Sequence, residues 1–166
     1  MINRRSVALT ALLYVTTAMP PAVAQQLSVA DFYNQTSLAN MKEMVEKFYA
    51  SDCVFEDPVT HLEGRDKLLS YYRHMYEGVS KIRFELATQV RQGDEGFASW
   101  TMYLNTPKLE DGETVTVKGV SQFRYRGDLV VYHRDYFDLG EMVYEHVPVV
   151  GWLTRKVKAR LGDHES

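Results

Sequence analysis

The stretch Val130-Val131-Tyr132-His133-Arg134-Asp135-Tyr136-Phe137-Asp138-Leu139 decides how this chain is read. β-Branched and aromatic residues fill it, which favours a strand, yet Arg134, Asp135 and Asp138 stand among them. In a strand the side chains alternate, so Val131, His133, Asp135 and Phe137 share one face and Tyr132, Arg134 and Tyr136 the other. The first face mixes apolar groups with an imidazole and a carboxylate. Burying a carboxylate costs several kcal/mol unless it is paired or protonated, so an inward Asp135 has either a partner or a reaction to serve.

The strand is the last of four. Residues 82–91, 96–106, 114–125 and 129–138 all show a period of two, and Gly93-Asp94, residues 107–112 and Gly127-Asp128 supply the turns between them. Long sequential strands are most simply arranged as an antiparallel meander. Upstream, Ser28 and Asp31 cap a short helix through Phe32 and Tyr33. Leu38, Met41, Met44, Val45 and Phe48 form one apolar stripe of a second helix that ends near Ser51-Asp52. Residues 53–57 read as a short strand stopped by Pro58, residues 61–64 as a loop, and residues 65–77 as a third helix burying Leu68, Leu69, Tyr72 and Met75 or Tyr76. A final amphipathic segment, 141–161, is broken at Pro148 and Gly151 and ends in Arg155, Lys156, Lys158 and Arg160. The expectation is one α+β domain, with helices packed on a strongly curved antiparallel sheet and an amphipathic helix at the C-terminus.

Residues 1–24 have the order of a secretory signal: Arg4-Arg5, an apolar run, then Ala22-Val23-Ala24 as the small residues before a cleavage site. Export to the periplasm or medium is the expectation; the alternative is a mis-assigned start and a cytoplasmic protein. The apolar run is too short for a spanning helix, so no stable membrane span is expected. Cleavage leaves residues 25–166 as a single domain with 17 basic and 22 acidic residues, a net charge of −5, which argues against nucleic-acid binding. A single cysteine, Cys53, excludes an internal disulfide, and it reads as a packed thiol.

The order helix, helix, strand, helix, meander, with Phe55-Glu56-Asp57-Pro58 closing the first strand, resembles the nuclear transport factor 2-like superfamily and most of all its SnoaL-like branch. The resemblance spans roughly residues 28–145 and implies a cone-shaped sheet closed by helices around a pocket. Ketosteroid isomerases of this superfamily carry their proton-shuttling aspartate in a segment similar to Glu56-Asp57-Pro58, which implies Asp57 as a general base. Their oxyanion-hole tyrosine corresponds to Tyr33, and their second donor, a protonated carboxylic acid, falls at Ser121, a poorer donor to an enolate. In limonene-epoxide hydrolases the closing strand is similar to residues 134–139, with the counterpart of Asp135 facing the pocket. Their remaining catalytic positions match Phe55, Asp57, Met102 and Leu104, so that mechanism does not carry over. The shared strand serves instead to say which face points inward.

These registers place Phe55, Trp100, Met102, Ser121 and Phe137 in the lining of a pocket for an apolar small molecule, with Asp57, Asp135, His133 and Tyr33 as candidate acid-base residues and His61 nearby in a loop. Each has a plainer reading. Asp57 terminates a strand, Asp135 and His133 neutralise each other, Tyr33 packs in the core, and the domain is then a binding or dimerisation module. No cofactor motif is present, and the candidate ligands lack a compact metal-binding spacing. The last helix has three destinations open to it: the mouth of the cone, a homodimer, or a membrane surface.

Overall fold

The computed structural model describes residues 26–107 and 112–162, so the signal-like segment lies outside the described residues. Helix α1 spans Val29–Gln35 and starts at Ser28, whose hydroxyl accepts from the Asp31 N–H at 3.0 Å. Helix α2, Met41–Phe48, buries Met41, Met44, Val45 and Phe48. Leu38, expected on the same stripe, sits in the preceding turn and is half exposed.

The chain runs straight from α2 into strand β1, Tyr49–Glu56, four residues before the expected start at Cys53. The expected loop at 61–64 contains strand β2, His61–Glu63, antiparallel to β1 with Phe55 opposite Leu62. Asp57 makes this hairpin: its N–H donates to the Thr60 carbonyl, and its Oδ1 accepts from the Val59 and Thr60 N–H groups. Helix α3, Arg65–Glu77, follows and buries Leu68 and Tyr72.

Strands β3 (Lys81–Gln92), β4 (Glu95–Asn105), β5 (Thr114–Arg126) and β6 (Leu129–Phe137) form the expected antiparallel meander. Sheet order is β2-β1-β6-β5-β4-β3, and β1 lies parallel to β6, so the curved sheet is mixed rather than wholly antiparallel. The inward face follows the alternation: Ala98, Trp100, Met102 and Leu104 on β4 and Val115, Val117 and Ser121 on β5 are buried. On β6 the alternation breaks once. A register shift between Arg124 and Tyr125 buries Val130, leaves Val131 half-buried, and restores His133 to the inner face.

Short helix α4, Leu139–Met142, is capped by Asp138, and a 3-10 turn at Tyr144–His146 leads to α5, Pro148–Gly162. Pro148 opens α5 instead of breaking it, since proline fits a first helical position. Gly151 lies inside α5, where any Cβ would stand 2.2 Å from the Glu145 carbonyl oxygen. Helix continuity at Gly151 therefore comes with a close approach only glycine allows.

An aromatic core joins helices to sheet. Phe32 stacks on Phe48 at 4.4 Å, and Tyr49, Phe55 and Phe123 surround the His133 ring. Burial pushes the Tyr33, Tyr49 and Tyr72 phenols well above their ordinary 10.

Two outcomes are expected. At Gly119 an added Cβ would meet the Trp100 ring at 2.3 Å, and β5 backbone cannot retreat without disturbing two ladders. Gly119→Ala should cost roughly 1–3 kcal/mol, read as a lower denaturant midpoint; an unchanged midpoint would contradict this packing. The raised phenols mean that the folded chain holds these protons more tightly than the unfolded one. Their stability contribution is complete below about pH 10 and declines as pH rises through the higher folded-state values. Denaturant titrations should be level through neutral pH in this respect and weaken above about 10; Tyr49→Phe should flatten part of that alkaline slope.

Candidate functional site

A cavity of about 460 Å³ lies between the inner face of the sheet and the helices. Its wall is mainly apolar, which suits a hydrophobic small molecule. Of the five expected contacts, Phe55, Trp100, Met102 and Phe137 line it. Ser121 does not: it is fully buried behind Trp100 and Tyr33. Asp57, Asp135 and Tyr33 also reach the wall, whereas His133 is wholly buried behind it. His61 is outside the cavity, on the β1–β2 hairpin, with its Nδ1 2.9 Å from Glu56 Oε1.

Behind the wall the polar groups form one network. Ser121 and Asp135 face each other across β5 and β6, and Phe123 faces His133, so the ladder itself brings hydroxyl, carboxylate and imidazole together. The Ser121 hydroxyl donates to Asp135 Oδ1. Its oxygen then accepts from Trp100 Nε1 at 2.8 Å and from the Tyr33 hydroxyl at 2.5 Å. His133 Nε2 is 2.9 Å from the same Asp135 oxygen and 3.2 Å from the Tyr33 oxygen. With Asp135 ionised, Nε2 carries the hydrogen, and the neutral Nδ1 accepts from the Tyr49 hydroxyl at 2.6 Å. Tyr49 in turn accepts from Tyr72, 2.9 Å away.

Every hydroxyl in this chain has a defined direction under that assignment. Among the described residues the network leaves no buried side-chain nitrogen or oxygen without a partner. Asp135 is the exception in exposure: its side chain is 18 % exposed, and its Oδ2 makes no hydrogen bond among the described residues. One oxygen is anchored and the other is available at the cavity wall.

Asp57 differs. Its Oδ1 takes the Val59 and Thr60 N–H groups at 2.7 and 2.8 Å, and its Oδ2 takes the Tyr71 hydroxyl at 2.6 Å. Burial together with that carboxylate holds the Tyr71 phenol in its protonated form. Asp57 therefore terminates its strand and reaches the cavity at once, with both oxygens engaged. Tyr49, Tyr71 and the hydrogen-bonding role of Tyr72 were not legible from pattern. Tyr49 sits at a helix-to-strand junction, and Tyr71 and Tyr72 are adjacent on α3 at positions that ordinarily signify core. Among the described residues no group of three histidine, cysteine, aspartate or glutamate side chains is gathered for a metal ion.

Residues 29–133 match the SnoaL-like domain. No curated protein matches the chain. Among solved structures, a protein of ketosteroid isomerase-like fold from Catenulispora acidiphila, in complex with trimethylamine, is 14 % identical at a TM-score of 0.61, covering 78 % of this chain and 95 % of its own. A candidate SnoaL-like polyketide cyclase from Shewanella putrefaciens is 16 % identical at 0.57, covering 72 % and 79 %. A nuclear transport factor 2-like protein of unknown function from Exiguobacterium is 17 % identical at 0.56, covering 66 % and 94 %. Such identities speak for the fold alone. With the family match extending over more than half of its length, the chain belongs to the SnoaL-like domain family, and its curved sheet wrapped around helices is the nuclear transport factor 2-like fold.

Proposed function

We propose that this protein binds an apolar small molecule in the cone and moves a proton on it, with Asp135 as the base. The observation that carries this reading is the asymmetry of the Asp135 carboxylate: Oδ1 is fixed by Ser121 and His133, while Oδ2 is unbonded at the wall of an apolar cavity. A substrate C–H made acidic by a neighbouring carbonyl is the group such a base removes. His133 positions the carboxylate and is itself held from behind by Tyr49, which Tyr72 holds in turn. Tyr33 holds Ser121 and Trp100 holds it from the other side. Asp57, with both oxygens engaged, holds the hairpin and Tyr71 against the cavity. A chemistry of isomerase or cyclase type fits these roles.

A second reading, non-catalytic binding, is favoured by one fact: the Tyr33, Tyr71 and Tyr72 protons all point to protein acceptors, so an enolate would find no free phenol. The two readings separate on two variants. Native mass spectrometry of freshly purified protein identifies the retained ligand class, and turnover is then assayed on carbonyl compounds of that class. Asp135→Asn should keep the ligand and lower turnover about 10²–10⁴-fold. Asp57→Asn should lower stability by roughly 1–2 kcal/mol through its hairpin bonds and change turnover far less. Equal turnover by Asp135→Asn and the parent chain would leave binding alone.

The same reading includes export, supported by Arg4-Arg5, the apolar run and Ala22-Val23-Ala24. A mature N-terminus at Gln25 outside the cytoplasm is the expected result of N-terminal sequencing; an uncleaved chain in the cytoplasm would reject it.

A further inference from the structure

Helix α5 is mounted with its polar side inward. Gly151 is buried against the Glu145 carbonyl, Arg155 donates to that same carbonyl at 2.8 Å, and Lys158 reaches Asp138 at 2.9 Å and Glu145 at 2.5 Å. These three residues, at 151, 155 and 158, occupy one side of the helix. The opposite side is the apolar one. Val149, Leu153, Val157 and Leu161 recur every four residues and are 78 %, 56 %, 50 % and 68 % exposed. Beside this stripe runs a second, Trp152, Lys156 and Arg160, with the Lys156 ammonium 5.3 Å from the Trp152 ring and no ion pair on Lys156 or Arg160 among the described residues.

We infer that α5 docks this protein on an anionic lipid surface. The helix is fixed to the domain by its charged face, so its apolar stripe is turned away from the cavity and does not close it. Residues 148–162 contain Arg155, Lys156, Lys158 and Arg160 and no acid. In a chain whose formal charge is −3, that is a local reversal of sign. A second copy laid on the same stripe would bring Lys156 and Arg160 against their own counterparts, with no carboxylate on either helix to meet them. Anionic headgroups supply the missing charge, and acyl chains cover the valines and leucines. A tryptophan beside two cations is the composition of the headgroup level. At 15 residues the helix is about 22 Å long, and no described helix is long and apolar enough to cross a bilayer, so α5 lies in the interface plane.

This inference is independent of the cavity's chemistry and is tested without it. The full chain is sedimented with vesicles of phosphatidylcholine alone and with about one-third phosphatidylglycerol, at about 0.1 M and about 0.5 M salt. The parent chain should bind the anionic vesicles at least tenfold more tightly than the neutral ones, as the electrostatic share of about two outward basic residues, Lys156 and Arg160, requires, and lose most of that at high salt. Lys156→Glu with Arg160→Glu, and separately Leu153→Asp with Val157→Asp, should each weaken binding at least about tenfold. All four positions are on the outer side, so the circular dichroism and denaturant midpoint of both variants should match the parent. Comparing variants that share residues 1–25 isolates α5 from the N-terminal segment. Equal binding of parent and variants, equal binding to both vesicle types, or a concentration-dependent dimer that Leu153→Asp dissolves without vesicle binding would each overturn the inference.

Discussion

A carboxylate placed among aromatic rings must be held by hydrogen-bond donors, and this constraint shapes the interior of the protein. Among the described residues Asp135 is the only acid joined to the deep network, and the groups that satisfy it come from every layer: Ser121 from β5, His133 from its own strand, Tyr33 behind Ser121 from α1, and Tyr49 behind His133 from β1. Each donor is itself buried and needs its own partner, so the requirement propagates to Trp100 on β4 and Tyr72 on α3. Among the described residues no buried side-chain nitrogen or oxygen is left without a partner. A fully satisfied network of this kind fixes rotamers as well as energies, because moving one member strands the next.

The sheet makes that network possible by register. Ser121 stands opposite both Ala98 and Asp135, so a small residue on one side leaves room for the hydroxyl while the other supplies its acceptor. Gly119, two residues away, leaves the space that the Trp100 ring fills, and that position brings the indole N–H to Ser121. The break at Arg124/Tyr125 matters equally. Beyond it, alternation from Val131 would have faced Val130 outward; the shift instead seats Val130 in the core and keeps His133 aligned with Phe123. A wall of alternating residues is thus tuned by one absent side chain and one irregular step.

Much of this was legible in sequence because a period of two is a strong signal when strands are long. The four meander strands followed from alternation and α3 from its helical stripe, while the inward placement of Trp100, Met102, Ser121 and His133 needed the family resemblance as well, to say which face points inward. The helix-to-strand junction at Tyr49 did not, since an apolar stripe reads alike on a helix end and on the strand that continues it. The β2 strand did not either: three residues carry too little period to declare themselves, and an aspartate turn around Pro58 created the hairpin. The distinction between Asp57 and Asp135 lay beyond any local pattern. Both are acids that reach the cavity, Asp57 just past the end of β1 and Asp135 on β6, and what separates them is the fate of single oxygens, decided by Tyr71 on one side and His133 and Ser121 on the other.

The parallel pairing of β1 with β6 has a kinetic meaning. Tyr49 and His133 are 84 residues apart in sequence, and Tyr33 and His133 are 100 apart, yet each pair is in hydrogen-bond contact. Most of the meander can zip from adjacent hairpins, at low loop-closure cost. The cavity wall cannot, because its first helix and first strand meet the last strand only across most of the chain. The contacts that complete the pocket are therefore those with the highest loop-closure cost, and they raise the contact order of a fold whose meander is otherwise local.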